Sequence, residues 1–306
     1  MVLQLGCVLA YNRAEATTKR GTTGAAGLLN RYHQYSISFY ILDRPASASG
    51  LLFMNNVLIV GARRGVGLEL ARLYATSQAV VDVHATVRNV SDPGTALRAL
   101  RNVALYELDV RNHAQIASLA QKLRRRGVTV GTLLYVSGVN VGTYAEQWLV
   151  NALAPFRVID QVLPSMPRGS KVCIVTSLAG TSKQIQLFER ANYPIASARC
   201  DAAAEAAGCA YKKSQKARND AFREHEAQWR QRGITAVAIH PGYVRTAMNN
   251  FSGKISPAQS AAGIRRVCMS SGGGAASAPM NSRMRRGDHE PAASALLSWE
   301  GRRLPW

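Results

Sequence analysis

Three glycines crowd one short segment, Val60-Gly61-Ala62-Arg63-Arg64-Gly65-Val66-Gly67. An apolar run, Asn56–Gly61, leads into it and a helical stretch, Gly65–Thr76, leads out. A chain that turns sharply from strand to helix leaves the N–H groups of the first helical turn without carbonyl partners, and such groups hold a pyrophosphate. Gly61 permits the turn, while Gly65 and Gly67 allow close backbone approach. A glycine triplet alone also serves ordinary tight turns. Strand before, helix after and a second strand ending about 20 residues on make the pattern specific. It predicts dinucleotide binding around Gly61, Arg63, Arg64, Gly65, Val66 and Gly67.

The end of the second strand bears on which dinucleotide. An acidic residue there would accept hydrogen bonds from the adenosine ribose and favour NAD. This strand ends Thr86-Val87-Arg88, and Asp82 lies too early to serve. Arg88, with Arg63 or Arg64, offers guanidinium groups suited to a 2′-phosphate. NADP is therefore preferred over NAD. The bland alternative for Arg88 is a solvated surface arginine.

The elements that position these groups alternate along the chain. Apolar runs at Ala79–Val87, Val103–Val110, Thr129–Ser137, Lys171–Ser177 and Ile234–His240 read as strands buried on both faces. Helical segments separate them at His113–Arg126, Ala145–Met166 and about Cys209–Arg232. The alternation predicts an α/β fold: a Rossmann-type, doubly wound parallel sheet in three α/β/α layers. It occupies residues 54–269. Residues 1–53 read as a loosely ordered extension, with a transit peptide as the alternative. Residues 270–306 read as a glycine-rich linker and C-terminal segment.

Composition narrows the functional classes. The chain has 306 residues, is 47% hydrophobic and carries a net charge of +20. Such charge attracts phosphates, but no nucleic-acid recognition motif accompanies it, and the tightest run, Arg124-Arg125-Arg126, falls at a predicted helix end where cations complement the dipole. No apolar stretch is long enough to span a bilayer, so a soluble, cytoplasmic protein is expected, with no membrane or specific nucleic-acid partner. The five cysteines lack CxxC spacing, which argues against a disulfide framework or zinc site. The six histidines show no ligand spacing, and no metal is expected.

The glycine spacing resembles the T-G-x-x-x-G-I-G turn of the short-chain dehydrogenase/reductase family, with valine at the threonine and isoleucine positions. The resemblance continues in order from about Asn56 to Asn249. Asp109 and Val110 stand where the family contacts adenine. Ser137 and Gly138 occupy the fourth strand's end, where the family's N-N-A-G asparagines are absent. Val150-Asn151-Ala152-Leu153-Ala154-Pro155-Phe156 is similar to V-N-x-x-G-P-F, which implies that Asn151 holds a proton-relay water. Pro241-Gly242-Tyr243-Val244-Arg245-Thr246 is similar to P-G-x-V-x-T, which implies that Pro241, Gly242, Val244 and Thr246 border the nicotinamide. Trp299 to Trp306 resembles the ending of some members.

The resemblance also implies the chemistry. Hydride delivery to a carbonyl leaves an alkoxide needing a hydrogen bond and a proton. The family meets this with serine, tyrosine and a lysine four residues after the tyrosine. Ser177 occupies the serine position. Tyr211-Lys212-Lys213-Ser214-Gln215-Lys216-Ala217-Arg218-Asn219 resembles Y-x-x-S-K-A-A-x-N, but Gln215 stands where lysine belongs. Positions i and i+4 share a helix face, so Gln215 replaces the lysine there, and Lys216 is turned away by roughly 100 degrees. Without that charge, Tyr211 stays nearer its reference pKa of about 10, which favours reduction over oxidation. The interval from Ser177 to Tyr211 is longer than the family's, residues 180–208 read as an insertion, and Tyr193 is the alternative tyrosine. The implied function is reduction of a small-molecule carbonyl to an alcohol with NADPH or NADH, in a homodimer or homotetramer packed through long helices. The alternative is a catalytically impaired dinucleotide-binding sensor or scaffold.

Overall fold

The computed structural model describes residues 56–80, 82–92, 94–181, 207–270 and 295–306. Strands β1 (Val57–Val60), β2 (Val83–Val87), β3 (Val103–Glu107), β4 (Thr132–Tyr135), β5 (Lys171–Val175), β6 (Thr235–His240), β7 (Leu296–Ser298) and β8 (Arg303–Leu304) form one sheet. Its order is β3-β2-β1-β4-β5-β6-β7-β8, with every pairing parallel except β7 with β8. The strand order reverses direction between β1 and β4. In open parallel sheets that crevice, at the carboxyl ends of the strands, is where ligands bind.

Helices cover both faces. Leu58 and Val60 of β1 point into a core formed with Ile116, Leu119 and Leu123 of α3 (His113–Arg125), Val158, Ile159 and Val162 of α5 (Ala154–Val162), and Phe222 and Trp229 of α6 (Ala207–Gln231). Val57 and Ile59 point the other way, onto Val66, Leu70 and Tyr74 of α1 (Gly65–Ala75) and Ile264 and Val267 of α7 (Pro257–Ser270). The strict alternation of a strand thus feeds two apolar layers, which is why the central strands read as unbroken apolar runs. Two short helices, α2 (Thr95–Arg98) and α4 (Tyr144–Gln147), complete the set among the described residues.

The helix predicted over Ala145–Met166 is divided. A π-helical turn at Trp148–Leu153 separates α4 from α5, and a 3-10 turn at Leu163–Ser165 follows. Pro155, in the first turn of α5, has no N–H to give the preceding turn, so the regular ladder cannot run through it. Asn151 lies inside the π turn. The Arg124-Arg125-Arg126 run does end α3, whose start is capped by the Asn112 side chain accepting from the Ala114 and Gln115 N–H groups.

Three features go beyond the sequence expectations. Helix α7 lies outside the predicted helices; its buried face mixes Ile264, Val267 and Cys268 with the small residues Ser260, Ala261 and Gly263, and a Cβ on Gly263 would lie 2.3 Å from the Trp299 carbonyl oxygen. Strands β7 and β8 come from the segment set apart as 270–306 and extend the same sheet through β6. Cys173 of β5 also pairs with Cys268 of α7 as a disulfide, with Cα atoms 6.4 Å apart, where the cysteine spacing argues against a disulfide framework. The two cysteines are 95 residues apart, so no spacing rule could join them. No described helix is long and apolar enough to cross a membrane.

Leu296 is fully buried in β7. Leu296→Ala should therefore lower the unfolding free energy by about 2–5 kcal/mol, read as a fall in the urea midpoint at unchanged slope. A change within about 0.5 kcal/mol would mean that the C-terminal strands are not part of the cooperative unit.

Candidate active site

The glycine turn sits at the β1 side of the crevice, and its geometry leaves no space for larger residues. A Cβ on Gly67 would lie 2.0 Å from the Gly61 carbonyl oxygen, and one on Gly61 would lie 2.4 Å from Ser137 Oγ. Gly61 and Gly65 have φ values of 95° and 59°. The Gly61 N–H donates to Thr86 Oγ1 at 3.1 Å, which ties the turn to the end of β2. Ser137 N–H donates to the Val60 carbonyl at 3.0 Å, so the end of β4 closes the other side. The first turn of α1 contains no acidic side chain. Its free N–H groups therefore present an uncompensated positive pole.

The basic residues divide. Arg63 is held by Asp92, with Nη2 at 2.6 Å from Oδ2 and Nε donating to the Asp92 carbonyl. Arg64, which precedes α1, and Arg88, which follows β2, are exposed and form no ion pair among the described residues. Asp109 bonds Arg111, whose guanidinium holds the carboxyl below the usual carboxylate range. Val110 beside it is buried.

The loop after β6 returns to the same crevice. Gly242 takes φ 85°, Val244 is buried and bridges to Ile255, and Asn249 Nδ2 donates to the Val244 carbonyl at 2.9 Å. Pro241 is anchored by Ser260 Oγ, which donates to its carbonyl at 2.7 Å. The Thr246 methyl lies 3.4 Å from where a Gly65 Cβ would stand. Two segments about 180 residues apart in the chain thus meet at the glycine turn.

Across the crevice, α6 brings Tyr211 to Ser177. The phenol approaches the Ser177 side chain, whose Oγ accepts from the Ala179 N–H at 3.1 Å. Burial raises the Tyr211 pKa above its ordinary value, opposed by the Ser177 hydroxyl and by the charge of Arg218. The expectation of a pKa near the reference is thereby corrected: desolvation outweighs both. Tyr193 lies outside the described residues. One stripe of α6 faces the sheet: Ser214, Gln215, Arg218 and Asn219 are each 2% exposed or less. Asn151 connects to it, with Nδ2 donating to Ser214 Oγ at 3.0 Å and to the Val139 carbonyl at 2.7 Å, while Oδ1 accepts from the Val139 N–H. Gly138 packs here too, since a Cβ on it would lie 3.3 Å from Asn151 Oδ1. Gln215 Oε1 lies 3.5 Å from the Thr176 hydroxyl, and the Gln215 backbone packs tightly against Gly180.

Two residues were not singled out from the sequence. Arg218 donates to the carbonyls of Ser137, Asn151 and Val175. Its i+7 spacing from Tyr211 was the available signal, because i+7 shares a face with i and i+4. His240, at the end of β6, accepts from the Leu178 N–H on Nδ1 at 3.4 Å and also hydrogen-bonds the Thr176 backbone. It therefore grips the chain on both sides of Ser177. No spacing signal marks it.

Burial pushes the His240 pKa down to about 4. An unfolded chain would take up that proton near pH 6.5. The stability contributed by neutral His240 is therefore complete above about pH 6.5 and is lost as the pH falls toward 4, by up to about 3 kcal/mol. Urea midpoints measured from pH 7.5 to 4 should drop accordingly, and His240→Gln should flatten the drop. His84, whose pKa burial also lowers, contributes in the same direction and remains in that variant. An unchanged slope in His240→Gln would show that the imidazole titrates normally.

Residues 55–193 match the short chain dehydrogenase family model. A 1-hydroxy-2-glutathionyl-2-methyl-3-butene dehydrogenase from Rhodococcus sp. (strain AD45) is 28% identical over 225 residues, covering 69% of this chain and 89% of that protein. The C-signal protein of Myxococcus xanthus is 30% identical over 131 residues, covering 42% of this chain and 68% of its own. Among solved structures, the NADPH-bound carbonyl reductase from chicken fatty liver shares the fold, with a TM-score of 0.64 at 22% identity over 82% of this chain and 99% of that one. With its glycine turn between strand and helix and its reversed strand order, the chain belongs to the short-chain dehydrogenase family.

Proposed function

We propose that the protein is an NADPH-dependent reductase that converts a small-molecule carbonyl to an alcohol. The observation that carries this reading is the approach of the Tyr211 phenol to the Ser177 side chain beyond the end of β5, at the carboxyl edge of the sheet. That pair favours turnover over a non-catalytic sensor, which has no need of a half-buried phenol beside a hydroxyl.

The residues present fit a phosphorylated dinucleotide. Gly61, Gly65, Val66 and Gly67 form a cradle that a Cβ at Gly61 or Gly67 would fill. Arg64 and Arg88 supply the charge for a 2′-phosphate, since Arg63 is already committed to Asp92. Asp109, Val110, Ser137 and Gly138 form the floor, and Pro241, Gly242, Val244 and Thr246 form the wall. When bound there, the dihydronicotinamide supplies the hydride. Ser177 donates a hydrogen bond to the substrate oxygen and fixes its direction. Tyr211 gives that oxygen its proton as the C–O bond becomes an alkoxide. A phenol kept neutral by burial is in the right state for this step at neutral pH. Asn151 holds the Ser214 end of α6 and the Val139 backbone in place, which supports a path for proton return. Gln215 braces the Ser177 loop through Thr176. The same reading places a homodimer or homotetramer along α5 and α6, to be measured by light scattering.

Tyr211→Phe should lower kcat for carbonyl reduction by about 10²–10⁴ while leaving NADPH affinity within about threefold. Gly67→Ala should abolish NADPH-induced fluorescence changes, because its Cβ meets backbone that cannot rotate away. Arg88→Asp should weaken NADPH binding at least about tenfold and leave NADH nearly unaffected. Equal losses for both nucleotides would remove the 2′-phosphate assignment, and no nucleotide binding by the unaltered protein would overturn the reading.

A further inference from the structure

Arg218 is 2% exposed, yet no carboxylate pairs with it among the described residues. Burying a guanidinium is costly, and such groups are normally neutralised by an acid. Here the donors go to three backbone carbonyls: Nη1 to Val175 at 2.7 Å, Nη2 to Ser137 at 3.2 Å and Nε to Asn151. The guanidinium carbon lies 5.7 Å from the centre of the Tyr135 ring. These contacts satisfy hydrogen bonds and leave the full charge in place, in a region of low dielectric where its field extends further than in water. Side chains on a helix tilt toward its N-terminus, so Arg218 leans back along the face that carries Tyr211 two turns earlier.

We propose that Arg218 supplies the cation that stabilises the Tyr211 phenolate, in place of the positive charge that Gln215 lacks. The proposal rests on the reading of Tyr211 as the proton donor. Arg218 acts through Tyr211 and is a positioning residue. Among the described residues, the other groups around α6 do not provide this charge. Lys216 is exposed and paired with Asp220 at 2.7 Å, Lys213 is exposed with its ammonium 5.8 Å from the Tyr144 ring, and Lys212 is the residue next to Tyr211, turned off its face. On the elements packed against the helix, His240 is neutral, Tyr135 is a buried phenol donating to the Val150 carbonyl, Tyr144 is a phenol and Glu146 is bound by Thr143. The direction in which Arg218 moves the Tyr211 pKa, downward against burial, agrees with this assignment.

The test labels the protein with fluorotyrosine and follows the Tyr211 resonance, assigned by its loss in Tyr211→Phe, as pH rises without nucleotide. Arg218→Met should move the Tyr211 titration upward by about one pH unit or more, whereas Arg218→Lys should stay close to the unaltered protein. In NADPH-dependent turnover, Arg218→Met should lose about tenfold or more in kcat with NADPH affinity within about threefold. Adding Gln215→Lys to Arg218→Met should recover most of that loss and return the titration. If Arg218→Met does not unfold cooperatively, Arg218→Gln, which keeps a donor for the carbonyls, is read the same way. A Tyr211 titration that does not move in the uncharged variants, or that moves equally in Arg218→Lys, overturns the proposal. Absence of turnover in the unaltered protein alongside a shifted titration would remove the reductase reading and leave the Arg218 assignment standing.

Discussion

In a parallel sheet every strand ends at the same edge, and the carbonyls beyond the last ladder bond must find donors or remain unpaired. At the edge of β4 and β5 this constraint is met by one side chain. Arg218 donates to Ser137, just past β4, to Val175, the end of β5, and to Asn151, in the π turn that crosses above them. Each of those carbonyls neighbours a residue with a place in the proposed chemistry. The end of β4, the end of β5 and the π turn are thus fixed relative to one another through a single rigid fork. Its planarity matters, because the five N–H groups of a guanidinium lie in one plane and reach several acceptors at once.

Around that fork lies a buried polar layer that is unusual for a core otherwise made of Val, Ile, Leu and aromatic side chains. Thr176, Ser214, Gln215 and Asn219 are buried and bonded to one another or to nearby backbone. Satisfied networks of this kind hold one arrangement against alternatives, and losing one member leaves its partner unpaired. The apolar stripe of the same helix, Phe222 and Trp229, continues the packing beyond the polar layer, with Phe222 against the Trp306 ring at 5.8 Å. One helix therefore carries both the proposed proton donor and the anchor that keeps it seated.

Electrostatics at the site follow from burial more than from net charge. Most of the chain's positive charge sits on exposed side chains, whose influence on the crevice is screened by water and salt. Inside, burial keeps His240 neutral and Tyr211 protonated, and Arg218 is the buried cation that opposes the latter effect. A neutral imidazole suits its task, since Nδ1 must accept from the Leu178 N–H and a protonated ring could not.

The sequence by itself determined the sheet, the helices around it and the dinucleotide turn, because these depend on local patterns: unbroken apolar runs, glycines between strand and helix, and helical spacing. Ordered resemblance also pointed to Ser177, Tyr211 and Asn151, the residues on which the proposed chemistry is built. The division of the 145–166 helix was partly legible in Pro155, but the π turn was not, since its register is set by contacts with α6. Helix α7 and the Cys173–Cys268 pairing were hidden because small residues and distant cysteines carry no period. Which of Arg63 and Arg64 stays available depended on Asp92, a residue from another loop. Only the tertiary structure decided that Arg218 is buried, because its guanidinium finds its acceptors on three strand and turn ends that the chain visits more than 40 residues earlier.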